Sequence, residues 1–354
     1  MSVAPAVQGR DALFELGPMA LSCGRELPDA RLAYRVFGEL NADRSNLVLY
    51  PSSYGAWPED IDWVVGPILD PTRFCVLLVS QFGNGRSSSP STSALGLAEQ
   101  GWVISHADNV AAQQRLIQEV FEVERLALIY GWSMGAQQAY HWAALAPERV
   151  ERICCLCGTA RTTPHNRLFL LSLRQALTAD PAWDGTRFRA SPEQGLSTFA
   201  LIYASWAASQ AFYRQGRHEA LGYGSVEAYV ERSWLPAYRR HDPHDLLAML
   251  DTWLANDLAA AVAEQDSKTS AGIEAEPINL AAALGRITAR TTVIAGSHDL
   301  YFPPDDCAAE AALIAGARFE RLESVLGHRA GNPREAPAEQ AVIRAAVENL
   351  LRTF

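Results

Sequence analysis

Two kinds of pattern alternate along the chain. Short runs are apolar at nearly every position, and longer runs carry apolar residues every three or four positions. The first kind reads as strands buried on both faces, the second as helices packed on one side. "NLVLY" (46–50), "FCVLLVS" (74–80), "RLALIY" (125–130), "VERICCLC" (150–157) and "RTTVIAG" (290–296) are of the first kind. "ARLAYRVFGEL" (30–40) reads as a strand with a following turn, and "RFERLES" (318–324) as a late strand. "NVAAQQRLIQEVF" (109–121) and "QQAYHWAALA" (137–146) have helical spacing, with Pro147 closing the second. A further helix is expected near 305–315, and "PAEQAVIRAAVENLLRTF" forms a terminal one. The strand, helix, strand order predicts parallel crossovers.

The pattern changes between 161 and 285, which reads almost wholly as helix. "AEQDSKTSAGIEAEP" (263–277) is small and polar and is expected to be a flexible connection. The predicted organisation is an α/β core, residues 1–160 and 286–354, interrupted by a helical lid at 161–285.

Composition narrows the function classes. The 354 residues are 49% hydrophobic, enough for a large core, and the formal net charge is −10. Lys268 is the only lysine, and basic residues form no block. Nucleic acid and anionic membrane are therefore poor partners. The N-terminus lacks a basic stretch followed by an apolar one, and no apolar run approaches a membrane span, so a soluble, cytoplasmic protein is expected. Cys154, Cys155 and Cys157 lie in a strand-like run with no second Cys/His cluster, so they read as buried thiols and no metal is expected.

The chemistry starts at "GWSMGAQ" (131–137), a serine between two glycines, after a predicted strand and before a predicted helix. This is the nucleophile-elbow arrangement, in which a sharp turn presents the serine and needs glycine on either side. Ser133 is the expected nucleophile, and the following helix directs amide N–H groups toward its oxygen. A serine hydroxyl needs a base. His328, in "VLGHRAG" after a late strand, fits best. His298 is less well placed, His141 points into packing, and His241 and His244 suit a solvated helix start. The acid is expected to be Asp299, in "SHDLYFPPDD" after "RTTVIAG". Asp305 and Asp306 are rivals that helix capping explains, and Asp251 and Asp257 fall in the lid. The tetrahedral oxyanion calls for two backbone N–H groups. Met134 is one. The other comes from "PSSYGAW", with Ser52 first and Ser53 second, because Pro51 has no N–H.

With these pieces placed, the chain resembles the homoserine O-acetyltransferase family of α/β-hydrolases along nearly its whole length. The region from "DNVAAQQRLIQEVF" through "GWSMGAQQAYHWAALAPERVERI", together with "GTARTTPHN", "DLYFPP" and "GHRAG", carries the likeness. The resemblance implies the α/β-hydrolase fold, a mostly parallel central sheet with an inserted helical lid. It implies the same triad, Ser133, Asp299 and His328, a deep tunnel under the lid, and a homodimer built through the lid helices. The family's transferases move acetyl from acetyl-CoA through the serine to a hydroxyl. Two departures bear on the substrate. Trp132 and Ala136 stand where the transferases have glycine, and Ala200 stands where they carry a lid arginine. A methyl group cannot replace a bidentate cation, so homoserine is a poor substrate. "QFGNGRSSSPS" (81–91) resembles instead a branch labelled esterase or hydrolase.

The expected function is a serine-dependent acyl hydrolase, of esterase or amidase type, acting on a small-molecule ester, amide or thioester without a cofactor. "GNGRSSS" lacks the lysine and helix entry of a phosphate loop. An O-acyltransferase using acetyl-CoA or another donor on a different hydroxyl ranks second. A noncatalytic binding protein ranks last, because such proteins typically lose a triad member. Among the lid aromatics, Tyr203, Trp206, Phe212, Tyr213, Trp234, Tyr238 and Trp253 are candidates for an apolar acyl pocket.

Overall fold

The uniformly apolar runs come together in the middle of one eight-stranded sheet. The computed structural model describes residues 8–93, 103–269 and 278–352. The strands are β1 (Arg10–Ala20), β2 (Glu26–Phe37), β3 (Leu47–Pro51), β4 (Cys75–Val79), β5 (Leu128–Trp132), β6 (Arg152–Leu156), β7 (Arg290–Gly296) and β8 (Arg318–Leu322). Their order across the sheet is β1-β2-β4-β3-β5-β6-β7-β8. β1 and β2 pair antiparallel, as do β2 and β4; every other pairing is parallel.

Side chains alternate between the two faces of each strand. Val48, Tyr50, Leu78, Leu128 and Tyr130 pack on one face with Ile343 and Val347 of the terminal helix Pro337–Leu351. Leu47, Leu49, Leu77 and Ile129 face the other way, toward the helices His106–Leu116 and Met134–Leu145. Both faces are covered, which is why these strands contain few polar positions.

Three local readings are corrected. β1 was not anticipated. It is a largely exposed edge strand, broken by a left-handed Gly17 and two register shifts, so its apolar alternation is weak. The run 109–121 is an α-helix only to Leu116, and Ile117–Phe121 is a π-turn. The segment expected to be a flexible connection from 263 is helical to residue 269, as part of Leu258–Thr269. An i,i+4 pair, Glu264 with Lys268, and the ion pair of Asp266 with Arg286 support that polar helix. Residues 270–277 lie outside the described residues.

Between β6 and β7 the chain forms the longer helices Pro164–Thr178, Glu193–Ala207, Pro243–Leu254 and Leu258–Thr269, with several short turns of helix among them. No described helix is long and apolar enough to cross a membrane. A set of buried polar contacts joins the helices His106–Leu116 and Met134–Leu145 and ties the second to this insertion. His106 Nε2 lies 3.0 Å from Gln137 Oε1, and Trp142 Nε1–H donates to Gln113 Oε1 at 2.8 Å. Gln113 Nε2 donates to Gln138 Oε1 at 2.7 Å, and His141 Nε2 lies 3.0 Å from Asn256 Oδ1 in the inserted segment.

His106 and His141 are buried among these contacts, 5.4 Å apart between ring centres. Burial favours the neutral imidazole, pushing the pKa of His106 down to about 3 and that of His141 to about 4. The unfolded chain takes up protons below about pH 6.5, whereas the folded one does not. Stability contributed by these two groups is therefore complete above that pH and is lost as the pH falls toward 4 and 3. Across this window the urea unfolding midpoint of His141→Gln, which cannot be protonated there, should shift less toward lower stability than that of the parent.

Candidate active site

The turn after β5 is held in a conformation that L-residues avoid. Ser133 has φ 58° and ψ −124°, and its N–H donates to Leu156 O at 2.9 Å. Such a backbone costs about 1–3 kcal/mol, and packing must hold it in place. Both flanking glycines are sterically required. A Cβ on Gly131 would run into the Gly135 carbonyl, and one on Gly135 would run into the Pro51 carbonyl. The turn is thus pressed against its own helix and against the end of β3. The helix begins at Met134, whose N–H has no partner one turn back.

His328 and Asp299 meet across 29 residues of sequence. His328 Nδ1 lies 2.7 Å from Asp299 Oδ2, and both residues are buried. The other carboxylate oxygen, Oδ1, accepts the N–H groups of Tyr301 at 2.8 Å and Phe302 at 3.1 Å, which fixes the carboxylate plane. An imidazole that donates from Nδ1 to a carboxylate presents Nε2 as an acceptor. Its faces are packed by Trp132, Tyr301 and Phe302, with ring centres 5.1, 4.6 and 5.5 Å away. Gly327, at φ 63°, lets the loop pass Ala207 O, which a Cβ would approach to 2.6 Å.

The candidate oxyanion donors divide. The Ser52 N–H already donates to Val79 O at 2.8 Å, continuing the β3–β4 ladder by one residue. Ser52 Oγ accepts from Gln81 N at 2.9 Å, and Ser52 O accepts from Gln138 Nε2 at 3.1 Å. Ser52 is therefore committed, and the preference for it over Ser53 is corrected. The Ser53 N–H has no partner among the described residues, and Ser53 lines the same cavity as Ser133. Ser53 Oγ donates to Trp132 O, pinning this loop to the serine turn.

The cavity has a volume of about 230 Å³ and is lined by Ser53, Tyr54, Trp132, Ser133, Tyr203, Trp234, Tyr238 and His328, among others. Of the seven inserted aromatics singled out from sequence, Tyr203, Trp234 and Tyr238 reach it. Trp253 instead stacks on Phe302 at 5.6 Å, and Phe212 packs against Tyr229 at 5.9 Å. At one wall Arg240 pairs with Asp60 and lies 4.2 Å from the Trp57 ring.

The rival residues lie elsewhere. His298 Nδ1 is 3.0 Å from Ser324 O, and His141 is buried among the polar contacts that reach Asn256. His241 is buried, not solvated as expected; its Nε2 sits 3.0 Å from Gly55 O, and burial pushes its pKa down to about 4. His244 Nε2 accepts from Phe188 N at 3.0 Å, and its Nδ1 lies 2.8 Å from Asp242. Asp305 and Asp306 occupy the first turn of the helix Pro304–Ala311 but make no cap hydrogen bond; Pro303 is the N-cap residue. Asp251 pairs with Arg174 and Asp257 with Arg161. Cys154 and Cys155 face opposite sides of the sheet, within its two apolar layers. Cys157 lies within 4.8 Å of the polar atoms of Asp299 and His328. Burial, followed by the charge of Asp299, pushes its thiol well up, so it stays protonated. Its neighbourhood to the acid was not foreseen; its place one residue past a strand that ends beside the serine turn was the only hint.

Residues 50–326 match the family model described as the alpha/beta hydrolase fold. The chain belongs to the α/β-hydrolase family. It is 38% identical over 322 residues to an ethyl acetate hydrolase of Pseudomonas veronii, covering 89% of this chain and 88% of the relative. It is 28% identical to a homoserine O-acetyltransferase of Geobacter sulfurreducens, over 92% of this chain and 93% of the relative. The solved acetyl esterase MekB superposes with a TM-score of 0.87 at 36% identity, over 97% of both chains. The family fold expected from the resemblance is thus present.

Because Gly135 touches the β3 carbonyl, Gly135→Ala should destabilise the protein by about 1–3 kcal/mol, as overpacking does. Chemical denaturation should show this, with loss of activity at least as large as the loss of folded protein.

Proposed function

We propose that this α/β-hydrolase cleaves small carboxylic esters through an acyl-enzyme on Ser133. The observation that carries the reading is the buried His328–Asp299 hydrogen bond beside the cavity that both Ser133 and His328 line. Ser133 Oγ attacks the ester carbonyl carbon as His328 Nε2 takes its proton. The carbonyl oxygen becomes an oxyanion facing the Met134 and Ser53 N–H groups. Collapse breaks the carbon–oxygen bond to the alcohol, which leaves with the proton from His328. Water then attacks the acyl-serine, giving its proton to Nε2, and the acid departs as that proton returns to Ser133 Oγ. Asp299 holds the tautomer and balances the imidazolium without being protonated itself.

The small cavity favours a short acyl group, in keeping with relatives named for ethyl acetate and acetyl esters. Ala200 is buried and offers no cation to an amino-acid carboxylate, which supports hydrolysis over transfer to homoserine. In this reading the inserted helices, 161–285, are a lid over the site. Leu168, Leu171 and Leu201 are exposed on them and suit a homodimer contact. Six free cysteines fit a reducing, cytoplasmic setting.

Short p-nitrophenyl esters should be turned over by the wild type and labelled fluorophosphonate should mark Ser133. Ser133→Ala should abolish both while keeping the fold by circular dichroism. Asp299→Asn should lower kcat by on the order of 10⁴ through the wrong imidazole tautomer. Acetyl-CoA consumption only when an alcohol is added would assign the protein to transfer instead.

A further inference from the structure

Trp132, the last residue of β5, sits between the parts of the proposed machinery. It immediately precedes Ser133, and its carbonyl accepts the Ser53 hydroxyl that fixes the oxyanion loop. Its indole lies against the imidazole of His328, with ring centres 5.1 Å apart and planes 25° from parallel. The indole Nε1–H donates to the backbone carbonyl of His328 at 3.3 Å. One side chain thus holds both the ring and the main chain of this histidine.

The surroundings are shaped to admit the indole. A Cβ on Gly331 would come within 2.6 Å of Trp132 Cδ1 and 2.8 Å of Cys157 Sγ. The loop carrying His328 can approach β5 and β6 only because residue 331 has no side chain. Tyr301 and Phe302 pack against the same imidazole, so its rotation is limited from several sides. The indole also forms part of the cavity wall, next to Ser133 and His328.

We propose that Trp132 is a positioning residue for His328 and that its indole sets the upper size of substrate the cavity accepts. This rests on the hydrolase reading above. Imidazole placement governs proton transfer in every step, so its loss falls mainly on kcat. The wall position governs which substrates fit, so its loss changes the chain-length preference.

The test compares wild type, Trp132→Ala, Trp132→Leu and Trp132→Phe on p-nitrophenyl acetate, butyrate and hexanoate. For acetate, Trp132→Ala should lower kcat by about 10–100-fold with KM changed less than about threefold, the signature of lost orientation. Its ratio of hexanoate to acetate kcat/KM should rise by about tenfold or more as the wall opens. Trp132→Phe keeps an aromatic face but lacks the indole N–H, so its kcat should fall less than that of the alanine or leucine protein. Trp132→Leu removes the aromatic face, so kcat for acetate should fall. If the alanine protein does not fold cooperatively, the leucine and phenylalanine pair decides the positioning role, and Trp132→Val the size limit. An alanine or leucine kcat within twofold of wild type overturns the positioning role, and an unchanged profile in the alanine or valine protein overturns the size limit. Wild type that neither hydrolyses these esters nor takes fluorophosphonate at Ser133 would instead sink the hydrolase reading itself.

Discussion

The left-handed backbone of Ser133 is the constraint around which this protein is arranged. An L-residue in that region is held there only by its surroundings. The surroundings are the Leu156 carbonyl of β6, which takes the serine N–H, and the carbonyl of Pro51 on β3, which meets the bare Cα of Gly135. β5 therefore has to lie between β3 and β6 in register, and parallel pairing of central strands delivers that. β6 in turn pairs with β7, whose end leads to Asp299. The sheet order thus places Ser133 and Asp299 at the ends of strands two apart, β5 and β7.

The polar interior extends this rigidity. Gln138, one turn into the helix after the serine, donates to the Ser52 carbonyl, and Ser52 Oγ receives the Gln81 N–H. The loop that carries Ser53 is consequently braced from the helix, from β4 and from Trp132. The Ser53 N–H, without a partner among the described residues, is thereby held in place at the cavity wall. Within this interior Gln113 and Gln138 join the two helices on one face of the sheet, and His141 reaches Asn256 of the inserted segment.

Sequence made the central strands and the serine turn readable because their determinants are local. Continuous burial leaves no charged positions in β3 or β5, and Gly131 answers to a clash within the turn itself, with the Gly135 carbonyl. The contact between His328 and Asp299 joins two loops that each follow a late strand, a placement the order of elements along the chain suggests. What sequence did not show depends on neighbours in space. The commitment of Ser52 arises because the β3–β4 ladder runs one residue past the apolar stretch. The burial of His241 comes from Trp57 and Gly55, 184 and 186 positions earlier in the chain. The helix through residues 263–269 gains an ion pair to Arg286 that its own polar composition does not announce. β1 escaped notice because an exposed edge needs no strict alternation.

The distribution of thiols has a practical outcome. Cys75, Cys154, Cys155, Cys157 and Cys307 are buried, while Cys23, between β1 and β2, is exposed. Burial pushes the thiols of all five interior residues up, away from the reactive thiolate. The folded protein therefore offers maleimide chemistry a single address. A dye or surface tether can be attached there without engineering the chain, and a second equivalent of label reports that the interior has come open.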